Sequence, residues 1–169
     1  ENGLAKYLKK ETIIIDTGTT EYGATLDLNK KLNAIGLQFL DAPVSGMSVR
    51  AKNASLSMMV GGDTSLFLKV NEALSKIASK IIHMGPVGTG QLTKLVNQLL
   101  FDINMAGLAE ILPMAVKLGL DPEKVTEIIN SGTGRSYASE FFLPNIMKGE
   151  FGKGYPMQAA YKDLISGAK

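Results

Sequence analysis

The first half of the chain alternates short apolar runs with longer stretches in which apolar residues recur every three or four positions. Short apolar runs predict strands, and the longer spacing predicts amphipathic helices. The predicted strands are residues 12–16, 37–40, 55–60 and 80–84, and the predicted helices are residues 22–34 and 64–79, after the tail of a helix in residues 1–9. Strands that alternate with helices indicate an α/β domain with a largely parallel sheet.

After Gly90 the spacing of apolar residues is helical only. One long helix is predicted over residues 91–117, with Pro113 inside it as a kink or break. Asp121 and Pro122 predict the start of the next helix, because Asp is a favoured N-cap and Pro suits the first helical position. Two further helices are predicted at residues 136–148 and 156–165.

The two patterns meet just before Lys94, and they predict an α/β part in residues 1–88 followed by an all-α part in residues 89–169. Lys94 lies about one turn inside the long helix, after a glycine-rich turn. Asn97 and Gln98 follow it by three and four residues and therefore share its face of the helix. An ammonium group beside two amides suits the binding and protonation of a small anionic oxo-compound. The alternative is an ordinary solvated lysine on a helix.

Three further segments are candidates for binding, and each has a plainer alternative. Residues 16–20 and the pair Ser45–Gly46 follow predicted strands, where open α/β sheets bind ligands, although ordinary turns explain both segments. Lys162 and Asp163 form a third candidate, for which a surface ion pair is the alternative. We expect His83, at the end of a strand, to pack rather than to catalyse.

Composition narrows the classes of function. The net charge is +2, and the 18 basic and 16 acidic residues are mixed along the chain, which does not indicate a nucleic-acid surface. The absence of cysteine and the single histidine exclude thiolate and multi-histidine metal sites and disfavour a Ser-His hydrolase. No apolar run of the sequence approaches membrane-spanning length, so we expect no membrane partner. We expect a cytoplasmic location, with an organelle left open because the true N-terminus is not visible.

Eight short strings occur in the order in which one enzyme family carries them. They are Ile15–Thr19, Phe39–Gly46, Met59–Asp63, His83–Gly90, Thr93–Gln98, Gly119–Pro122, Gly134–Ser136 and Lys162–Leu164. With these strings the chain resembles the β-hydroxyacid dehydrogenases, a family that includes 3-hydroxyisobutyrate dehydrogenases and tartronate semialdehyde reductases. The resemblance implies the second half of a Rossmann-type domain, a long interdomain helix and a helical C-terminal domain.

The resemblance also implies a function and a role for each candidate residue. The protein would use NAD or NADP to interconvert a small β-hydroxyacid and its semialdehyde or oxo form, and the full-length protein would be a homo-oligomer. Lys94 matches the catalytic lysine that exchanges a proton with the substrate oxygen. The other matches are Ser45, Gly46, Asn97 and Gln98 for substrate binding, and Thr19 and Lys162 for cofactor binding.

Departures from the family pattern bear on substrate and completeness. Met47 stands where the family usually has another glycine after Ser45–Gly46, and it adds bulk beside the substrate. The string Gly-x-Gly-x-x-Gly of the family's first half is absent. We therefore expect an internal piece of the enzyme, inactive by itself, in which the strand of residues 12–16 is an exposed edge that promotes association.

Two alternatives to this enzyme remain at the level of sequence. A nuclear factor of the same family uses its dehydrogenase-like domain for assembly and has a different residue at the lysine position. Imine reductases share the fold and typically lack the lysine as well. The presence of Lys94 favours a catalytic hydroxyacid dehydrogenase over both.

Overall fold

The computed structural model describes residues 3–167. Two compact units are present: residues 1–96 together with 162–169 form the first, and residues 97–161 form the second. The first unit holds a five-stranded sheet and its helices. Its elements are β1 (Ile13–Asp16), α1 (Tyr22–Asn33), β2 (Gln38–Asp41), β3 (Val44–Ser45), α2 (Met47–Lys52), β4 (Leu56–Gly61), α3 (Thr64–Leu74) and β5 (Ala78–Gly85).

The sheet is mixed, and the expectation of a largely parallel sheet was wrong. β1 pairs with β2 in parallel, and β4 pairs with β5 in parallel. β4 runs antiparallel to both β2 and β3. A parallel neighbour needs a long crossover, usually a full helix. The connection from β2 to β4 contains only β3 and the six-residue helix α2, so the chain turns back on itself.

The four predicted strands and the two predicted helices of this unit are all present, with small shifts at their ends. α3 ends at Leu74 rather than at residue 79, because β5 already begins at Ala78. Residues 4–7 form a short 3-10 helix instead of the tail of an α-helix. β3 and α2 were not predicted: residues 41–46 were interpreted as a turn, either one that binds a carboxylate or an ordinary surface turn, and no element was assigned to residues 47–52.

Apolar side chains pack on both faces of the sheet. One cluster joins Leu40, Met58 and Val60 of the strands to Leu66 and Leu74 of α3. A smaller cluster on the other face joins β2 to α1, and its buried members are Leu32, Leu37 and Phe39. Because the two clusters cover both faces of β2, this strand is more deeply buried than a strand with one face toward solvent.

The remaining elements are helices, and no strand follows β5 within residues 3–167. They are α4 (Thr89–Lys117), α5 (Pro122–Ser131), α6 (Tyr137–Met147) and α7 (Met157–Gly167). α4 is not broken at Pro113. Asp121 caps α5 as predicted, because its carboxylate accepts from the N–H groups of Glu123 and Lys124 at 2.9 and 3.4 Å. The first two turns of α4 belong to the first unit, so the units divide beyond residue 88.

α4 is long and apolar enough to cross a membrane by length and composition alone. No apolar run of that length had been found in the sequence. Length and composition are weak evidence for a span. Three polar side chains of this helix, those of Gln91, Lys94 and Gln98, are buried within the fold. Polar residues such as these are rare on helices surrounded by lipid, although only 6% of the most apolar window of α4 is buried in the described chain.

The start of α4 is held by a buried carboxylate. Asp41, at the end of β2, is fully buried, and its Oδ1 and Oδ2 accept from the N–H groups of Gly88 and Gln91 at 2.7 and 3.0 Å. The first N–H groups of a helix lack partners within the helix and carry partial positive charge, so a carboxylate stabilises them. A Cβ atom on Gly90 would lie 2.7 Å from Oδ2, and one on Gly61 would overlap Oδ1. Glycine is therefore required on both sides of the carboxylate.

We expect Asp41→Asn to lower the free energy of unfolding by about 1–3 kcal/mol, because an amide nitrogen then faces a backbone N–H that has lost its acceptor. Urea denaturation followed by circular dichroism measures the change. The matched control is Asp27→Asn, the same change at an exposed position of α1, which should leave stability within about 0.5 kcal/mol. Equal effects of the two variants would contradict the role of Asp41.

β1 lies at an edge among the strands that the structure describes. Thr12 O accepts from Gln38 N–H and Asp16 O accepts from Ala42 N–H, so alternate residues bond to β2 and the N–H of Ile13 points outward. An unpaired edge templates pairing with another chain. We expect the isolated chain to associate through this edge and Ile13→Pro to reduce the association, as measured by light scattering after size exclusion. Leu68→Lys, an exposed apolar position on α3, is the control and should change nothing.

Candidate functional site

Lys94 is buried on the second turn of α4, with 7% of its surface exposed. A lysine is rarely buried to this extent unless its ammonium group is engaged. The position of the helix start, fixed by Asp41, determines where this side chain leaves the helix. The structure thus excludes the solvated lysine that the sequence left as an alternative.

The loop after β1 is fixed on both sides of Thr19. Asp16 Oδ1 accepts from Gly18 N–H at 2.9 Å. The side chain of Gln91 donates from Nε2 to Gly18 O at 2.8 Å and accepts from Thr20 N–H on Oε1 at 3.1 Å. The backbone around Thr19 is therefore bonded to the same helix that carries Lys94.

Lys162 meets this loop and also forms an ion pair. Its Nζ donates to Thr19 O at 3.4 Å and lies 3.2 Å from Asp163 Oδ1. The Lys162 side chain is 60% exposed, whereas that of Asp163 is 3% exposed. A threonine loop and an exposed ammonium group at one place are suitable donors for the ribose hydroxyl and phosphate oxygens of a nicotinamide dinucleotide. The residues present therefore fit that cofactor.

The segment Ser45–Met47 has an unusual backbone. Ser45 ends β3, where it pairs with Ser57, and Gly46 has a φ of 137°. Met47 has a φ of 56°, in the left-handed region that favours glycine. This conformation gives a physical reason for the glycine that the family usually has at this position. Methionine at 47 adopts this left-handed φ and adds a side chain beside Ser45 and Gly46.

Asn97 and Gln98 are neighbours on α4 and belong to the second unit. Asn97 Nδ2 donates to Gln98 Oε1 at 3.3 Å. Gln98 is buried and Asn97 is exposed. Their roles in substrate binding stay predictions from the resemblance.

His83 packs, as expected. Its Nε2 lies 2.8 Å from Gly62 O, and its ring stacks on that of Phe67 with centroids 5.1 Å apart.

Two residues that organise this region, Asp41 and Gln91, were not identified from the sequence. Asp41 was interpreted as the end of a strand, and Gln91 as a residue of a glycine-rich helix start. A usable signal was present for Gln91, which precedes Lys94 by three residues and so shares its helix face. Asp41 offered only its position at the carboxyl end of a strand, where ligands and helix starts meet.

Two family models together match nearly the whole chain. The NAD binding domain of 6-phosphogluconate dehydrogenase matches residues 1–85, and the NAD-binding domain of NADP-dependent 3-hydroxyisobutyrate dehydrogenase matches residues 88–166. Both are nicotinamide dinucleotide domains, which confirms NAD or NADP as the predicted type of cofactor.

Individual relatives agree with the family models. 2-(Hydroxymethyl)glutarate dehydrogenase of Eubacterium barkeri is 40% identical over 163 residues, which cover 96% of this chain and 54% of the relative. Human mitochondrial 3-hydroxyisobutyrate dehydrogenase is 37% identical over 150 residues, covering 88% of this chain and 45% of the relative. The chain thus spans about half the length of the curated relatives it matches.

A solved structure supports the fold. The 3-hydroxyisobutyrate dehydrogenase of Mycobacterium tuberculosis, determined with L-serine, superposes with a TM-score of 0.89 at 29% identity, covering 97% of this chain and 59% of the other. The predicted fold class, a Rossmann-type α/β part followed by helices, is confirmed. On these matches the chain belongs to the β-hydroxyacid dehydrogenase family.

Proposed function

We propose that the protein to which this chain belongs is an NAD(P)-dependent oxidoreductase that interconverts a small β-hydroxyacid and its semialdehyde or oxo form. The observation that carries the proposal is the burial of Lys94 one turn inside a helix whose start is fixed by Asp41. An ammonium group shielded from bulk water and held by a rigid helix suits general acid–base catalysis.

In the proposed reaction, Lys94 gives a proton from Nζ to the carbonyl oxygen during reduction and takes it from the hydroxyl group during oxidation. When bound, a nicotinamide cofactor would supply or receive the hydride. The Thr19 loop and Lys162 would hold the cofactor, since the Lys162 ammonium group is exposed enough to reach a phosphate or hydroxyl oxygen. Ser45 and Gly46 hold the substrate carboxylate through a hydroxyl and backbone N–H groups.

We expect Lys94→Ala in the full-length gene product to lower kcat about 10²- to 10⁴-fold, the usual contribution of a general acid or base. The dissociation constant for NAD(P)H, measured by fluorescence titration, should change little. Lys94→Arg keeps the charge but does not release a proton near neutral pH, so it should be equally impaired. Lys124→Ala, at an exposed position of α5, is the control. Unchanged turnover of Lys94→Ala on a panel of β-hydroxyacids would overturn the proposal.

We expect Met47→Gly to widen the range of substrates, because it removes a side chain beside Ser45 and Gly46. Glycine tolerates the left-handed backbone at this position, so the substitution should not strain the chain. The ratio of kcat/KM for a longer hydroxyacid to that for a shorter one should rise about tenfold or more. Met47→Leu keeps the bulk and is the control. If the ratio is the same in both variants, Met47 does not limit the substrate.

A further inference from the structure

Gln91 joins the first turn of α4 to the loop after β1 through a single buried carboxamide. Its Nε2 and Oε1 bond to Gly18 O and Thr20 N–H, the two backbone groups on either side of Thr19. Only 3% of the surface of Gln91 is exposed, so water does not compete for these bonds. The conformation of the loop at Thr19 therefore depends on this side chain.

The chemistry of the contact requires an amide. One partner is an acceptor and the other is a donor, and a carboxamide offers one donor group and one acceptor group. A carboxylate in the same place has acceptors only and would set an oxygen against Gly18 O. A thioether of similar length offers neither a donor nor a strong acceptor.

Gln91 is also fixed at its own backbone and close to Lys94. Its N–H donates to the buried Asp41 carboxylate at 3.0 Å. Lys94 follows by three residues on the same face of α4 and is buried as well. The helix start, the Thr19 loop and Lys94 thus form one connected arrangement within the first unit.

We infer that Gln91 is a positioning residue that fixes the cofactor-side loop at Thr19 against the helix that carries Lys94. This inference rests on the proposed function, since it takes Thr19 as a contact of the cofactor and Lys94 as the proton donor. Gln91 acts through Thr19 and touches neither substrate nor cofactor.

The test compares Gln91→Glu with Gln91→Met in the full-length gene product. At pH 8 both variants should raise KM for NAD(P) about tenfold, the effect of losing a buried hydrogen bond. As pH falls, the glutamate variant alone should recover, because a protonated carboxyl group offers an O–H donor to Gly18 O and a C=O acceptor to Thr20 N–H. Burial disfavours the charged form of the new glutamate and raises its pKa. The pH at which KM recovers should therefore lie above the ordinary glutamate pKa of about 4.3.

Other charges near this contact are common to all variants. They lie on the end of β1 and the loop after it, on β2, on α4 and on α7, and they are Asp16, Glu21, Asp41, Lys94, Lys162 and Asp163. Their titration affects Gln91→Met and Gln91→Glu alike. The ratio of the two variants' kcat/KM for NAD(P) across pH therefore reports the carboxyl group at position 91.

Asn71→Asp, an amide-to-acid change at an exposed position of α3, is the matched control. The ratio of its kcat/KM for NAD(P) to that of wild type should not change with pH. Equal, pH-independent losses in Gln91→Glu and Gln91→Met would show that Gln91 only supports the fold, and the inference would be wrong.

Amide hydrogen exchange separates this inference from the proposed function. The protection factor of Thr20 N–H, measured by NMR on the isolated chain, should fall at least tenfold in Gln91→Met. It should also fall in Gln91→Glu at pH 8 and return at low pH. If the wild-type gene product transfers no hydride to or from any hydroxyacid, the proposed function fails while this measurement still decides the role of Gln91. Unchanged protection of Thr20 in both variants overturns the inference.

Discussion

The structure of the first unit depends on one buried carboxylate. Asp41 ends β2 in the middle of the sheet, and its two oxygens bind the N–H groups of Gly88 and Gln91 at the start of α4. A buried charge is costly unless it is fully bonded, and an uncapped helix start in the interior is costly too. Each compensates the other, so the carboxylate stabilises the end of β2 and the first turn of α4 together within the first unit. Gly61 and Gly90 are the steric consequence, because a side chain at either position would enter the space of the carboxylate.

Much of the fold could be predicted from the sequence, because strands, helices and caps are set by local patterns. Apolar runs located the four main strands, and Asp121–Pro122 located the start of α5. The direction of β4 could not be predicted in this way. It depends on how residues 42–55 connect β2 and β4, and the sequence pattern predicted neither β3 nor α2, which form within that connection.

The residues of the candidate site differ in the same way: some could be predicted from local sequence and others depend on tertiary structure. Residues with a distinctive chemistry, such as Lys94 and Lys162, could be proposed from the sequence and from the resemblance. The roles of Asp41 and Gln91 could not, because they depend on partners 47 to 73 positions away along the chain, even though the spacing of Gln91 from Lys94 marks the helix face on which it lies. A carboxylate before Ala-Pro and an amide in a helix are common in any sequence. Only tertiary structure shows that the first is fully buried and that the second bonds both sides of Thr19.

Met47 shows how a local rule can be broken without changing the fold. Its left-handed φ of 56° costs about 1–2 kcal/mol for a residue other than glycine. Met47 follows a glycine at φ 137° and is the first residue of α2. Conformational cost that persists beside candidate binding residues is typically retained for function. Glycine at this position would relieve the backbone cost and remove the bulk that methionine brings beside Ser45 and Gly46, so backbone strain and side-chain volume change together here.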